Sequence, residues 1–142
     1  MLETLEISRI LKDYRNIAVV GASPKVNRPS YQVAAYLMGA GYNVIPVNPG
    51  QEEILGLRCY PDLLAIPEPV EIVDIFRRSE EVGLVVEQAI AIGAKVVWMQ
   101  QGIVNEAAAK KAREAGLKVI MDRCLKVDHQ SLLGQVGPVG LV

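Results

Sequence analysis

Cysteine and histidine are scarce in this chain of 142 residues, and their scarcity removes several chemistries at once. The two cysteines, Cys59 and Cys124, form neither a C-x-x-C pair nor a disulfide framework. The one histidine, His129, has no second histidine at metal-binding spacing, so neither a metal site nor a histidine-centred catalytic dyad is expected. Charge of either sign is not in excess. With 15 Lys and Arg against 16 Asp and Glu the net charge is −1, and no global field draws nucleic acid or an anionic membrane. Any anion must therefore be held by local groups. No apolar run approaches the 18 residues of a membrane span, and the acidic start Met1-Leu2-Glu3-Thr4-Leu5-Glu6 lacks the core of a signal peptide. A cytoplasmic protein with reduced thiols is expected. The P-loop pattern and a Ser/His/Asp order are also missing, and no catalytic residue is assigned.

What is present is the alternation of an α/β domain. The 51% hydrophobic and 22% charged fractions fit one globular domain over residues 1–142, with 134–142, rich in Gly, Pro and Val, expected as a flexible tail. Apolar residues recur with helical spacing over Leu2–Leu11 and Tyr31–Ala40. Ser79 reads as the N-cap of a helix through Ile92, and Asn105 as the cap of Glu106–Ala115. Between them lie five apolar runs: Ile17–Gly21, Asn43–Pro49 closed by a turn, Glu71–Phe76, Lys95–Met99 and Leu117–Asp122. Gly56–Tyr60 is a further short strand candidate, and Asp62 a cap for a turn of helix. Strands alternating with helices predict right-handed crossovers and a parallel sheet covered on both faces. The expected fold is Rossmann-like and doubly wound, three layers thick, with strand order 3-2-1-4-5 and a switch between strands one and four. Ligands of such sheets lie beyond the carboxyl ends of the strands, near the switch.

The turn after the first strand is the richest segment. Gly21 and Ala22 allow a phosphate close to the backbone, and Ser23 and Ser30 offer hydroxyl donors. Lys25 and Arg28 add positive charge in a stretch without an acid, just before a helix N-terminus. The turn is not G-x-G-x-x-G, because Ser23 stands at the second glycine. It points to a phosphate-bearing ligand more clearly than to NAD; the alternative is an ordinary strand-to-helix loop with solvated basic residues.

The second strand ends Val47-Asn48-Pro49-Gly50-Gln51, without the carboxylate that takes the adenosine ribose of NAD. A carboxylate there would repel a ribose carrying a 3′-phosphate, so the tip is compatible with coenzyme A, and equally with simple turn chemistry. Phe76-Arg77-Arg78 closes the third strand with an apolar wall and two cations, which solvated arginines beside Glu80 and Glu81 would also explain. Gln100-Gln101-Gly102 after the fourth strand supplies amides suited to a pantetheine arm. Alternation puts Trp98 in the core in preference to a stacking platform, and Cys124 reads as a buried structural thiol, the alternative being a thiol activated beside Arg123.

Together Gly21-Ala22-Ser23, Val47-Asn48-Pro49, Phe76-Arg77-Arg78, Val97-Trp98-Met99-Gln100-x-Gly102-Ile103, Glu114-Ala115-Gly116-Leu117 and Asp122-Arg123-Cys124 resemble the stand-alone CoA-binding domain proteins, which are similar to the N-terminal domain of the succinyl-CoA synthetase alpha subunit. The resemblance spans roughly residues 10–133. It implies that Gly21, Ala22, Ser23 and Arg28 hold the pyrophosphate, that Val47, Asn48 and Pro49 flank the adenosine beside Phe76 and Arg77, and that Gln100, Gln101 and Gly102 follow the pantetheine. Two departures matter. Gln51 stands where the synthetase has a lysine, and Gln100-Gln101-Gly102-Ile103 replaces Thr-Glu-Gly-Ile, so the carboxylate of that segment is gone. The ligase reaction is therefore not expected to transfer. The expectation is a binding or regulatory module for coenzyme A or an acyl-CoA, with a protein partner or a second copy left open. The alternatives are an NAD(P)-dependent oxidoreductase component and a ligand-independent interaction module.

Overall fold

Each short apolar run bounded by turn residues becomes a strand, and each amphipathic stretch between them packs on one side of the sheet those strands make. The computed structural model describes residues 2–134. In chain order these are α1 (Leu2–Asp13), β1 (Asn16–Val20), α2 (Pro29–Gly39), β2 (Asn43–Val47), β3 (Glu53–Ile54), β4 (Leu57–Arg58), β5 (Ile72–Ile75), α3 (Val82–Ala91), β6 (Val96–Met99), α4 (Glu106–Glu114), β7 (Lys118–Ile120) and α5 (Leu125–His129). The expected flexible tail lies, from residue 135 on, outside the described residues.

The main sheet is parallel, five-stranded and ordered β2-β1-β5-β6-β7. Side chains alternate between its two faces. Ile17, Val19, Ile72 and Trp98 face α1, α2 and α5, while Ala18, Val20, Val73, Val97 and Met99 face α3 and α4. Both faces are buried, which is why the strands read as continuous apolar runs. This is the α/β Rossmann-like architecture expected.

The position of Glu71–Phe76 differs from expectation. That run, β5, lies beside β1 (Val20↔Ile75) and not outside β2. The place beyond β2 is taken by a single parallel bridge, Val47↔Tyr60. Counted as the third strand, this bridge matches the 3-2-1-4-5 pattern and makes β5 the fourth. The switch consequently lies between β1 and β5. Pro46 is tolerated because β2 is the edge of the five-stranded ladder: its carbonyl accepts Tyr60 N–H at 3.0 Å on the outer side, so its missing donor also faces away from β1.

Local chemistry sets most helix ends. Asn105 caps α4 by accepting Ala108 N–H at 3.0 Å, and Asp62 caps the turn Leu63–Ala65 by accepting Ala65 N–H at 3.0 Å. Ser79 does not cap α3. A 3₁₀ turn, Ser79–Glu81, intervenes, and the Ser79 hydroxyl instead accepts Val104 N–H at 3.1 Å. The serine thus ties the loop after β5 to the loop before α4. No helix of the described residues is long and apolar enough to cross a membrane.

Candidate functional site

Three adjoining cavities run along the carboxyl edge of the sheet, across the switch. The middle one, about 390 Å³, is bordered by Gly21, Ala22 and Ser23 of the first turn, Arg28 before α2, Asn48 after β2, and Phe76, Arg77 and Arg78 after β5. The structure therefore gathers eight residues singled out in the sequence. A second cavity, about 290 Å³, shares Gly21 and Arg77 with it and continues between Val47, Pro49, Leu63 and Val85. A third, about 570 Å³, shares Phe76 and continues past Gln100 and Gln101 to Cys124 and α5. Lys25, Ser30 and Gly102 line none of the three. Lys25 is exposed, Ser30 is buried in the first turn of α2, and the Gly102 N–H is taken by Asp122 Oδ1 at 2.7 Å.

Close approach at the switch explains Gly21. Its φ is +89°, and a Cβ there would lie 2.9 Å from the Phe76 carbonyl oxygen and 3.1 Å from Arg77 Cδ. The two loops that meet in the middle cavity can touch only through a residue without a side chain. The expected phosphate donors change in detail, however. The N–H groups of Gly21 and Ala22 both donate to Val47 O, at 3.0 and 3.2 Å, and so are committed to the fold. Asn48 is committed as well: its Nδ2 donates to Ala22 O at 2.8 Å and its Oδ1 accepts Gly50 N–H at 2.8 Å. Asn48 is thus a clamp between the tips of β1 and β2. The free donors are the Ser23 hydroxyl, whose oxygen accepts Lys25 N–H at 3.1 Å, and the first turn of α2, which has no side-chain cap and no acid.

The middle cavity also contains an acid that the first turn alone did not reveal. Glu81 holds both arginines, Arg77 Nε at 3.1 Å and Arg78 at 3.0 Å. The hydrogen bond from Arg78 keeps the Glu81 carboxyl below the usual carboxylate range. The two arginines are therefore neither loose nor fully available: one carboxylate sets them side by side facing the cavity. Arg28 has no ion-pair partner among the described residues.

Several lining residues escaped sequence reasoning. Leu63 and Val85 wall the second cavity, and Leu84 borders it while 66% exposed, a large apolar side chain left uncovered on α3. The apolar run Val82–Val86, wider than a single helix face needs, was the available signal. Asp62 also borders this cavity, so a carboxylate stands near the β2 tip although none is in it. The helix α5 was not expected, yet Lys126, Val127 and Gln130 wall the third cavity. Cys124, expected as buried, is half-buried and lines that cavity. Gln100 has a structural part: buried, its Oε1 accepts the N–H of Leu125, the first residue of α5, at 3.0 Å. Trp98 is fully buried as expected and donates to Arg123 O at 2.8 Å. His129 is buried on α5, with Nδ1 2.6 Å from the Tyr36 hydroxyl and a pKa lowered by burial and by Arg15, so it belongs to the packing of α5 on α2.

Comparison with known proteins bears on this edge. Residues 15–130 match the model of a family described as a CoA binding domain. The chain is 45% identical over 124 residues to the uncharacterized protein YneT of Bacillus subtilis, covering 87% of this chain and 92% of that protein. A hypothetical protein from Pyrococcus horikoshii has a solved structure that superposes with a TM-score of 0.90 at 49% identity, covering 92% of each chain. The chain is also similar to the ADP-forming acetate–CoA ligase I of Archaeoglobus fulgidus, 29% identical over 119 residues, which are 77% of this chain and 17% of that enzyme.

Proposed function

The chain belongs to the CoA binding domain family, and from that premise we propose that it binds coenzyme A or an acyl-CoA along the carboxyl edge of the sheet, as a binding or regulatory module. The adenine enters the apolar cavity between Pro49, Leu63 and Val85. The phosphates lie in the middle cavity against Ser23, Arg28, Arg77 and the open N-terminus of α2. The neutral pantetheine arm passes Phe76 toward the amides of Gln100 and Gln101.

The observation that carries this reading is the order of the cavities. An apolar pocket, a basic one and an amide-lined one adjoin through shared walls, at Gly21 and Arg77 and then at Phe76. Coenzyme A has the same sequence of chemistries: an aromatic base, phosphates and a neutral arm with two amides. Residues from four strand ends contribute, as the switch point of a doubly wound sheet allows.

Isothermal titration of the full chain with CoA, dephospho-CoA and NAD tests it. CoA is expected to bind, the other two more weakly, and Arg28→Ala to weaken CoA about tenfold, the worth of one charge-assisted hydrogen bond. No detectable binding at millimolar CoA overturns the reading, and tighter binding of NAD than of CoA replaces it with a nicotinamide-cofactor site.

A further inference from the structure

We infer that the far end of this cleft receives the acyl group of a CoA thioester that ends in a carboxylate. The inference rests on the coenzyme A reading and names the ligand class for its third cavity. That cavity is the largest of the three, about 570 Å³, and it begins where the middle one ends, at Phe76. Its walls are neutral amides such as Gln32 and Gln101 and apolar groups such as Ile103 and Val127, with no Asp or Glu. The single charged residue lining it is Lys126.

Two cations along the cleft have no ion-pair partner among the described residues, Arg28 at the middle cavity and Lys126 at the third. In the middle cavity Glu81 faces Arg77 and Arg78. Beside the third cavity Arg123 is held by Asp128 through two hydrogen bonds of 2.8 Å. Lys126 forms no ion pair among the described residues. Its ammonium lies 5.8 Å from the centre of the Tyr36 ring, and Tyr36 is itself fixed by the hydrogen bond to His129. Among the described residues the cation at the third cavity thus has an aromatic face beside it but no anion. A pantetheine arm is neutral and leaves it unused. An acyl chain that continues past the thioester and ends in a carboxylate supplies the missing anion, while Ile103 and Val127 cover its methylenes.

Matched thioesters test this. Succinyl-CoA and butyryl-CoA have acyl chains of equal length, one ending in a carboxylate and the other in a methyl. By isothermal titration at low salt, succinyl-CoA is expected to bind the wild-type chain about fivefold tighter, the worth of one partly exposed ion pair. Lys126→Met removes that difference, Lys126→Arg keeps it, and CoA itself binds wild type and both variants alike. Equal affinity of the two thioesters for wild type overturns the inference, as does a preference that survives Lys126→Met. A loss of CoA affinity in Lys126→Met also overturns it, because Lys126 would then hold a phosphate. If CoA binds without any acyl preference, only this inference fails; if CoA does not bind, the reading beneath it fails too.

Discussion

Replacing Gly21 by alanine attacks the point where the two halves of the site meet. Two effects add. A φ of +89° strains any residue with a Cβ, at about 1–3 kcal/mol. The new methyl would also lie 2.9 Å from Phe76 O and 3.1 Å from Arg77 Cδ, and relieving such contacts in packed structure costs about 1–3 kcal/mol. The sum is roughly 2–6 kcal/mol, which at about 3 °C per kcal/mol for a chain of this length lowers Tm by roughly 6–18 °C. The backbone cannot relax without moving Phe76 and Arg77, which border all three cavities between them, so affinity for CoA falls together with stability. Gly83→Ala is the control. It lies within α3 with nothing inside 4 Å of its would-be Cβ, and alanine there stabilises by about 0.5–1 kcal/mol. Thermal unfolding followed by circular dichroism, paired with titration of CoA, measures both variants. A Gly21→Ala protein with unchanged Tm and unchanged CoA affinity would refute the close-approach argument.

Two further substitutions probe buried and partnered acids. Glu81→Gln removes the anion of the middle cavity, where the phosphates are proposed to lie, and is expected to tighten CoA binding severalfold in low salt, with the gain shrinking as salt rises; weaker binding in titrations would mean that Glu81 matters chiefly for placing the arginines. Its folded-state pKa is depressed, so its ion pairs contribute above the ordinary glutamate range and are lost as pH falls through the lower folded value. Asp74, in the middle of β5, is fully buried with neither carboxyl oxygen hydrogen-bonded, and burial raises its pKa well above the ordinary aspartate range. Here the sign is opposite. The folded state binds the proton more tightly, so above pH ~4 wild-type stability declines by about 1.4 kcal/mol per pH unit until Asp74 itself ionises. Asp74→Asn is expected to unfold at a higher denaturant concentration than wild type at pH 7 and to lose that advantage near pH ~3.5, below the ordinary aspartate value; equal stability at both pH values would contradict a neutral buried carboxyl.

The fold was legible because its signals are local and repeated. Asn105 and Asp62 act as the caps their types suggest, and the alternation within Val96–Met99 buries Trp98. The position of β5 was not legible, since an apolar run such as Ile72–Ile75 carries no mark of which side of β1 it joins, and the outer place is filled by one bridge at Tyr60. Residue identity pointed to loops that the fold brings together around one cavity, but not to the commitments of their polar groups. Asn48 looks like a ligand-facing amide and is spent on Ala22 and Gly50. Glu81 looks like a solvated neighbour and joins two arginines. Lys126 and Val127 were invisible because α5 is short and lies after the last strand, where no periodic pattern announces it.

The most direct measurement is a crystal structure of the full chain grown with coenzyme A. The adenine is expected between Pro49 and Leu63, the diphosphate beside Ser23, Arg28 and Arg77, and the thiol past Phe76 near Cys124. Coenzyme A lying away from this edge, in the cavity bordered by Arg9 of α1, Arg113 of α4 and Lys118 of β7, or running along the same edge in the opposite direction with its phosphates at Lys126, would contradict this placement.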